Sequence, residues 1–156
     1  MKATFGDLSS IFLVVVYGLN HAFGRRNLWA DMRYLGTVIG DNPWIQLGDF
    51  NVVQRPNERL MGFDQATAYD FNDCLESLNM EDMPSRGFWF TWSNRRGGMG
   101  VNKSKIERVL INSAWLDKFS DSEVVFLAPG VSDHCSIVVT VMPAFCDSCF
   151  PCQKTL

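Results

Sequence analysis

The sequence is poor in charged residues and has no long apolar segment. Charged residues make up 20% of its 156 positions, which is less than the roughly 25% of an average soluble domain. The longest apolar run, residues 11–17, is far shorter than the ~20 residues that a membrane-spanning helix needs. Asp7 precedes this run, where a secretory signal peptide carries basic residues. We therefore expect no membrane span and no secretion signal.

The five cysteines do not form the even, regularly spaced set of a disulfide-rich secreted domain. Cys74 and Cys135 stand alone in the sequence, which favours a reducing intracellular compartment. Cys146, Cys149 and Cys152 are spaced like thiolate ligands of Zn²⁺, but no fourth ligand follows them. We expect them to belong to an irregular C-terminal tail over residues 143–156 rather than to a metal site.

The remaining composition suits one globular domain. Apolar residues make up 47% and aromatic residues 13% of the chain, and the formal net charge is −3. These values exclude an intrinsically disordered, collagen-like or low-complexity chain. No internal repeat or linker divides residues 1–142, which we expect to form one domain.

The hydrophobic pattern predicts alternating strands and helices. Strands are predicted where short apolar runs end at turn residues, and helices where apolar residues recur at spacings of three and four. Strands are expected at 11–17, covered on both faces, and at 44–47, 88–92, 106–111, 124–127 and 137–141. Helices are expected at 24–39, with Arg25 on the solvent side, at 65–78 after an Asp64 N-cap, and as one turn at 115–119. This order predicts a layered α/β or α+β sandwich.

Polar residues follow the ends of predicted strands, where loops carry binding and catalytic groups. They are Tyr17 and Asn20, Asp49 and Asn51, and Asp133 and His134. The Asp–Asn pair offers hard oxygen ligands for Mg²⁺ and an amide that can orient a water molecule. The Asp–His pair favours a charged imidazole, which can stabilise negative charge on a phosphate oxygen. Taken singly, each pair has a structural alternative: an Asx-turn, a strand-entry turn or a half-buried aromatic side chain.

Residues 95–108 are locally basic in a chain that is acidic overall. Glu107 is the one acidic residue in this Gly- and Asn-rich stretch. Basic side chains on a loop between two strands suit phosphate contacts and salt-dependent binding of DNA, and a solvated hairpin is the structural alternative. The candidate nucleic-acid-binding residues are Arg95, Arg96, Lys103, Lys105 and Arg108.

An aromatic stretch precedes the basic residues. If residues 88–92 form a strand, Phe88, Phe90 and Trp92 share one face, and Trp89 and Thr91 share the other. Such side chains can stack nucleobases, but packing between layers is the interpretation that we favour.

The ordered set of motifs resembles the endonuclease/exonuclease/phosphatase family with the DNase I-like fold. It is most similar to the endonuclease domain that precedes the reverse transcriptase in plant LINE-type non-LTR retrotransposons. The resemblance covers residues 11–141 and rests on segments in the family's order. They are VYGLN at 16–20, WIQLGDFN at 44–51, GFWFTWSN at 87–94, SKIERVL at 104–110 and SDH at 132–134.

The resemblance implies a role for each candidate residue in metal-assisted phosphodiester hydrolysis. Tyr17 and Asn20 would lie near the scissile phosphate, and Asp49 would position the attacking water with Asn51. His134 would bind a phosphoryl oxygen, and Asp49, Asn51 and Asp133 would hold Mg²⁺ or Mn²⁺. Glu107 stands where the family has an Asp that supports the catalytic His.

The resemblance also implies that the domain is partial. The family has an Asn and a metal-binding Glu in an N-terminal half, and nothing before residue 11 supplies them, so we expect an incomplete metal site. Weakened or lost activity follows, with a silent nucleic-acid-binding remnant, or a phosphatase with another substrate, as alternatives. We further expect DNA as partner, no small-molecule cofactor, a nuclear site of action, and self-association through uncovered sheet surface.

Overall fold

The structure, a computed structural model, describes residues 2–3 and 10–142, so the predicted tail with its three cysteines lies outside the described residues. The strands are β1 (Lys2–Ala3), β2 (Ile11–Tyr17), β3 (Trp44–Asp49), β4 (Met80–Asp82), β5 (Ser85–Gly87), β6 (Trp92–Ser93), β7 (Lys103–Ser104), β8 (Glu107–Asn112), β9 (Glu123–Leu127) and β10 (Ser136–Thr140). The α-helices are α1 (Ala22–Ile39), α2 (Gln65–Ser77) and α3 (Ser113–Phe119). None of the helices in the described part of the chain has the length and apolarity to span a bilayer.

The strands form a main sheet, a second sheet and a short ribbon. The main sheet has the order β1-β2-β3-β8-β4, the second sheet has the order β10-β9-β5, and β6 pairs with β7. In the main sheet β2 and β3 run parallel, and β8 runs antiparallel to β3. The ends of β2 and β3 and the start of β8 therefore meet at one edge of the sheet.

Helices α1 and α2 cover one face of the main sheet. Their apolar stripes meet in a core in which Trp29 stacks on Phe71, with ring centroids 4.7 Å apart. Leu110 of β8 and Trp44 of β3 complete this core from the sheet side. The burial of these large side chains is the main stabilising contribution of this layer.

The opposite face of the main sheet packs against α3 and the second sheet. Ile45 and Ile111 of the main sheet meet Trp115 of α3 and Val124 and Phe126 of β9 in a second buried core. The resulting order of layers, helices on sheet on sheet, confirms the predicted α/β layered sandwich.

Capping side chains determine where the two long helices begin. The Asp64 carboxylate accepts hydrogen bonds from the backbone N–H groups of Ala66 and Thr67, which confirms the predicted N-cap of α2. The helix α1 begins at Ala22 rather than at 24, because the His21 ring accepts a hydrogen bond from the Gly24 N–H.

Arg25 of α1 is buried, so its predicted place on the solvent side is wrong. Its Nη1 donates to the backbone oxygens of Leu19 (3.0 Å) and Asn20 (2.8 Å), which lie in the loop between β2 and α1. Helical spacing places apolar residues correctly but does not show a loop that folds back over a charged one.

The predicted strand at 88–92 is wrong over residues 88–91, because β5 ends at Gly87 and β6 begins at Trp92. Gly87 ends β5 with φ of +91°, and a side chain there would collide with the Phe126 backbone. The chain then leaves the second sheet, so Phe88 and Trp89 are 51% and 49% exposed rather than packed between layers. The predicted hairpin is reduced to the β6–β7 ribbon.

The strand β2 has the predicted bounds but not the predicted coverage. Its first residues, Ile11 and Leu13, contact the second core, whereas Val15 and Tyr17 further along the same face are exposed. The second core stops short of this end of the strand. Self-association through such uncovered apolar surface stays a prediction.

Arg108 of β8 lies in the interior between the main sheet and the loop that follows β3. Its guanidinium is 0% exposed, and it pairs with the Glu58 carboxylate, which is 2% exposed, and with Asp82 at 2.6 Å. It also donates to Gln54 at 3.0 Å. Lys105, also buried, pairs with the same Asp82 at 3.3 Å. Arg108 and Lys105 are therefore internal ion-pair partners, and their predicted contact with nucleic acid is wrong for this conformation.

We predict that Glu58→Gln lowers the free energy of unfolding by about 3–5 kcal/mol, because it leaves a buried guanidinium with too little compensating charge. The matched control is Asp70→Asn, which breaks the exposed pair with Arg26 and should cost no more than about 1 kcal/mol. Urea denaturation followed by tryptophan fluorescence measures both. Equal losses in the two variants would contradict the assignment of Arg108 to the core.

Candidate active site

Strand register brings three polar side chains into one row. Asp49 ends β3 and pairs with Tyr17 at the end of β2 on one side and with Glu107 at the start of β8 on the other. Residues that pair across neighbouring strands point to the same face of a sheet. Asp49 and Glu107 therefore project together from the face that carries the second core.

Hydrogen bonds within the Asp49–Asn51 turn hold the Asp49 carboxylate in place. Both of its carboxylate oxygens accept hydrogen bonds from Asn51, one from the backbone N–H at 2.8 Å and one from the side-chain amide at 2.9 Å. The Asn51 amide also donates to the Gly18 carbonyl at 2.8 Å. Asn51 has φ of +52°, a left-handed conformation that Asn adopts more readily than most residues. The segment is thus an Asx-turn that also fixes the orientation of a carboxylate.

Glu107 forms a charged pair with His134. Its Oε1 contacts His134 Nδ1, and the carboxylate is nearly fully buried. Its other oxygen, Oε2, is buried and has no hydrogen-bond partner among the residues that the structure describes. The additional methylene of Glu relative to Asp therefore does not prevent contact with the histidine.

Asp133 lies beside this pair but is directed elsewhere. Its Oδ2 accepts a hydrogen bond from Trp92 Nε1 at 3.0 Å, and its Oδ1 is 3.8 Å from His134 Nε2. The ligand atoms of Asp49, Glu107 and His134 all lie within 4.8 Å of one another. Of the predicted metal set of Asp49, Asn51 and Asp133, Asp49 alone belongs to this acidic and histidine group.

One cavity of about 700 Å³ lies in front of these groups. It is lined by the predicted residues Tyr17, Asn20, Asp49, Asn51, Asp133 and His134. It is larger than a phosphate group requires and lies within the range of ~300–1,000 Å³ that is usual for ligand sites. The six side chains therefore share one space, although their roles in it stay predictions.

Thr91 is a positioning residue that the sequence did not reveal. It is fully buried, and its hydroxyl accepts hydrogen bonds from the N–H groups of Ile106 and Glu107, each at 3.0 Å. Its carbonyl accepts the Cys135 N–H at 2.7 Å. One residue therefore fixes the backbone next to both members of the Glu107–His134 pair. A Thr between aromatic residues carries no signal of this role.

Burial and neighbouring charge shift the pKa values of the site. Burial raises the pKa of Asp49; the Asn51 N–H opposes this, and the Glu107 charge adds to it. For His134, burial alone would lower the pKa, but the hydrogen bond to Glu107 and the charges of Glu107 and Asp49 outweigh it and raise the pKa. The hydrogen bond from Trp92 lowers the pKa of Asp133. The site thus favours a protonated imidazole next to carboxylates.

The exposed basic surface beside the cavity is smaller than predicted. Arg95, Arg96 and Lys103 are exposed in and around the β6–β7 ribbon. Arg95 donates to the backbone oxygens of Gly130 (3.0 Å) and Ser132 and so holds the loop before His134. Arg96 and Lys103 have no side-chain ion pair within the described residues. We call Arg95, Arg96 and Lys103 the basic ribbon.

We predict that Glu107→Gln lowers the pKa of His134, because burial then dominates. A histidine whose folded-state pKa is raised stabilises the fold below the unfolded-state pKa, and this contribution is lost as pH rises through the folded-state pKa. The difference in unfolding free energy between wild type and variant should therefore shrink as pH rises across roughly 5–8.

Histidine NMR titration checks the pKa change, and urea denaturation as a function of pH checks the stability. The ring resonances of His21, a residue that does not line the cavity, serve as the internal reference and should not change with the substitution. A His134 pKa that does not fall in the variant would show that Glu107 is not its charge partner.

Comparison with known proteins identifies the architecture. No family model and no curated protein matches the sequence. Among solved structures, the 3′ phosphatase NExo from Neisseria bound to product DNA hairpin matches with a TM-score of 0.64 and 18% identity over 83% of this chain. The endonuclease domain of TRAS1, a telomere-specific non-LTR retrotransposon, matches with a TM-score of 0.62 and 16% identity over 85% of this chain. The AP endonuclease LMAP from Leishmania major matches with a TM-score of 0.60 and 20% identity over 89% of this chain.

The matched region is part of each of these structures. The chain covers 60% of the NExo chain, 57% of the TRAS1 domain and 52% of the LMAP chain. At identities of 20% and below, the likeness concerns the fold. The described part of this chain therefore has the DNase I-like α/β fold of the exonuclease, endonuclease and phosphatase proteins.

Proposed function

We propose that this chain is part of a divalent-metal-dependent phosphodiesterase that cleaves DNA. The observation that carries the proposal is the grouping of Asp49, Glu107 and His134, in which Asp49 and His134 line one cavity and Glu107 holds the histidine from behind. A carboxylate fixed by Asn51 next to a charged imidazole is the combination that hydrolysis of a phosphodiester requires. That proteins with this fold include enzymes acting on DNA supports the choice of substrate.

In the proposed reaction Asp49 accepts a proton from the attacking water. Its raised pKa makes it a better proton acceptor than an ordinary carboxylate, and its Asn51 contacts keep one orientation. The water oxygen bonds to phosphorus as the bond to the leaving sugar oxygen breaks, and the leaving oxygen takes up a proton from solvent water. The His134 imidazolium, held by Glu107, stabilises the charge that develops on a phosphoryl oxygen. Tyr17 and Asn20 contact the same phosphate from the β2 side of the cavity.

The residues present fit a divalent cation such as Mg²⁺ or Mn²⁺. Glu107 Oε2 is a buried carboxylate oxygen without a partner in the described chain, and hard cations bind such oxygens. The Asp49, Glu107 and Asp133 carboxylates and the Asn51 amide oxygen would hold the ion. When bound, the ion would neutralise charge on the phosphate. His134 has its Nδ1 engaged by Glu107 and stays a phosphate ligand.

We further propose that the chain derives from the endonuclease of a plant LINE-type non-LTR retrotransposon, which would act on nuclear DNA. The motifs at 87–94 and 104–110 support this origin, as does the match to the TRAS1 endonuclease domain. The chain could instead only bind DNA, and the basic ribbon favours that second function.

We predict that the chain nicks supercoiled plasmid in the presence of Mg²⁺ or Mn²⁺ and that Asp49→Asn and His134→Asn each lower the rate at least ~100-fold. Chelation with EDTA should abolish nicking, because the metal is part of the site. The matched control is Glu76→Gln, an exposed carboxylate in the last turn of α2 that does not line the cavity.

Gel electrophoresis of plasmid forms measures nicking, and a 3′-phosphorylated oligonucleotide tests phosphatase activity in parallel. No turnover of either substrate would contradict the enzymatic proposal and leave DNA binding alone. Turnover of the oligonucleotide alone would change the proposed reaction to phosphomonoester hydrolysis.

We predict that Arg96→Ala with Lys103→Ala makes the salt dependence of duplex DNA binding less steep by about 2 in log K against log salt, since each phosphate contact contributes about 0.9. Fluorescence anisotropy with a labelled duplex at several salt concentrations measures the slope. The control is Arg33→Ala with Arg86→Ala, which removes as much charge from other exposed parts of the surface. A slope that is the same in both double variants would exclude the basic ribbon from the interface.

A further inference from the structure

Part of the cavity wall carries polar side chains that do not belong to the Asp49, Glu107 and His134 group. Arg25, Arg59 and Ser104 line it, and so does Asp64. Burial lowers the pKa of Arg25, the charge of nearby Asp64 raises it, and the charge of nearby Arg59 lowers it further. One oxygen of the Asp64 carboxylate, Oδ1, accepts both N-cap hydrogen bonds of α2. The other three residues, Arg25, Arg59 and Ser104, can donate hydrogen bonds to a ligand.

Two of these donors are buried without acceptors in the described chain. Ser104 has no exposed surface, and its hydroxyl has no hydrogen-bond partner; the Nε of Arg59 is likewise buried and unpartnered. The two residues are neighbours across an antiparallel bridge between the loop after β3 and β7. Since an unmet buried polar group carries an unrecovered desolvation cost, two adjacent ones on residues that line a cavity point to a missing anionic ligand.

The chemistry of the wall selects the ligand class. A phosphate offers several oxygen acceptors on one centre, so it can accept from a hydroxyl and from guanidinium N–H groups at the same time. Arg25 uses its Nη1 to hold the backbone of the loop after β2, so its position is fixed before any ligand arrives. Asp49 and His134 line the same cavity, whose volume of about 700 Å³ has room for more than one phosphate.

We propose that Arg25, Arg59 and Ser104 form a second phosphate subsite, which binds the phosphate adjacent to the one that is cleaved. The identity of the ligand as a DNA phosphate rests on the proposed function. The subsite would fix the direction in which the strand crosses the cavity. A terminal phosphate has the same chemistry, and separate probes distinguish it from an internal phosphodiester.

Calorimetry on the full chain in EDTA measures the binding of two probes. One is trithymidylate without terminal phosphates (TpTpT), whose phosphates are all internal phosphodiesters, and the other is inorganic phosphate. Arg59→Gln should weaken trithymidylate binding about 10- to 100-fold and Ser104→Ala about 2- to 10-fold. Arg86→Gln, an exposed arginine on β5 with 80% of its side chain accessible, removes the same charge and should leave binding unchanged. Arg59-dependent binding of inorganic phosphate as well would assign the subsite to terminal phosphates.

Ser104→Ala also has an expected effect on the melting temperature, which differs in sign from its effect on ligand affinity. Because it removes an unpartnered buried hydroxyl, it should leave the melting temperature without ligand unchanged or raise it, while reducing the increase that trithymidylate causes. A melting temperature that falls in this variant, or affinities that match the Arg86→Gln control in both variants, would overturn the subsite.

The two proposals fail separately. Plasmid nicking that persists with unchanged KM in Arg59→Gln would overturn the subsite and leave the enzyme. Arg59-dependent binding of trithymidylate by a chain that does not nick DNA would keep the subsite and remove the enzyme.

Discussion

In the ladder between β3 and β8, Asp49 pairs with Glu107 and Gly48 pairs with Arg108. Because successive side chains in a strand point to opposite faces, this register directs Glu107 to the face of the candidate site and Arg108 into the core beneath the helices. A shift of one residue would exchange them, placing a guanidinium beside Asp49 and a carboxylate beside Glu58 and Asp82. The internal ion pairs of Arg108 and the candidate site therefore depend on the same register, and each supports the other.

The register also brings two carboxylates together, which the structure must compensate. Burial and the charge of Glu107 both raise the pKa of Asp49, so its charged form destabilises the folded state above its ordinary pKa, and this cost is relieved as pH falls. The His134 imidazolium responds to the same negative charge with a pKa shifted upward. Any positive charge near the two carboxylates therefore stabilises the site. A phosphate would bind only where the local positive charge exceeds the negative charge of the carboxylates.

The sequence predicted the parts of the fold that follow from local pattern. Hydrophobic spacing and turn-forming residues were enough to predict the strand at 11–17, the N-cap at Asp64 and the position of polar residues at strand ends. The burial of Arg25, Lys105 and Arg108 was not predictable in this way, because a basic residue in the sequence does not show whether its partner lies far away along the chain. The exposed Phe88 and Trp89 were missed for a related reason: the backbone conformation of Gly87, and not the aromatic pattern, ends the strand.

The contact between Glu107 and His134 shows why a change from Asp to Glu need not disrupt such a site. Thr91 bonds the backbone N–H of Glu107 through its hydroxyl and that of Cys135 through its carbonyl, so the separation of the two segments is set by main-chain contacts. The Ser93 N–H to the Asp133 carbonyl, at 3.1 Å, adds a second tie to the same loop. With the backbones fixed, a longer carboxylate can meet the ring by a change of rotamer alone. The second oxygen of the Glu107 carboxylate then has no hydrogen-bond partner among the described residues and is available to bind a cation.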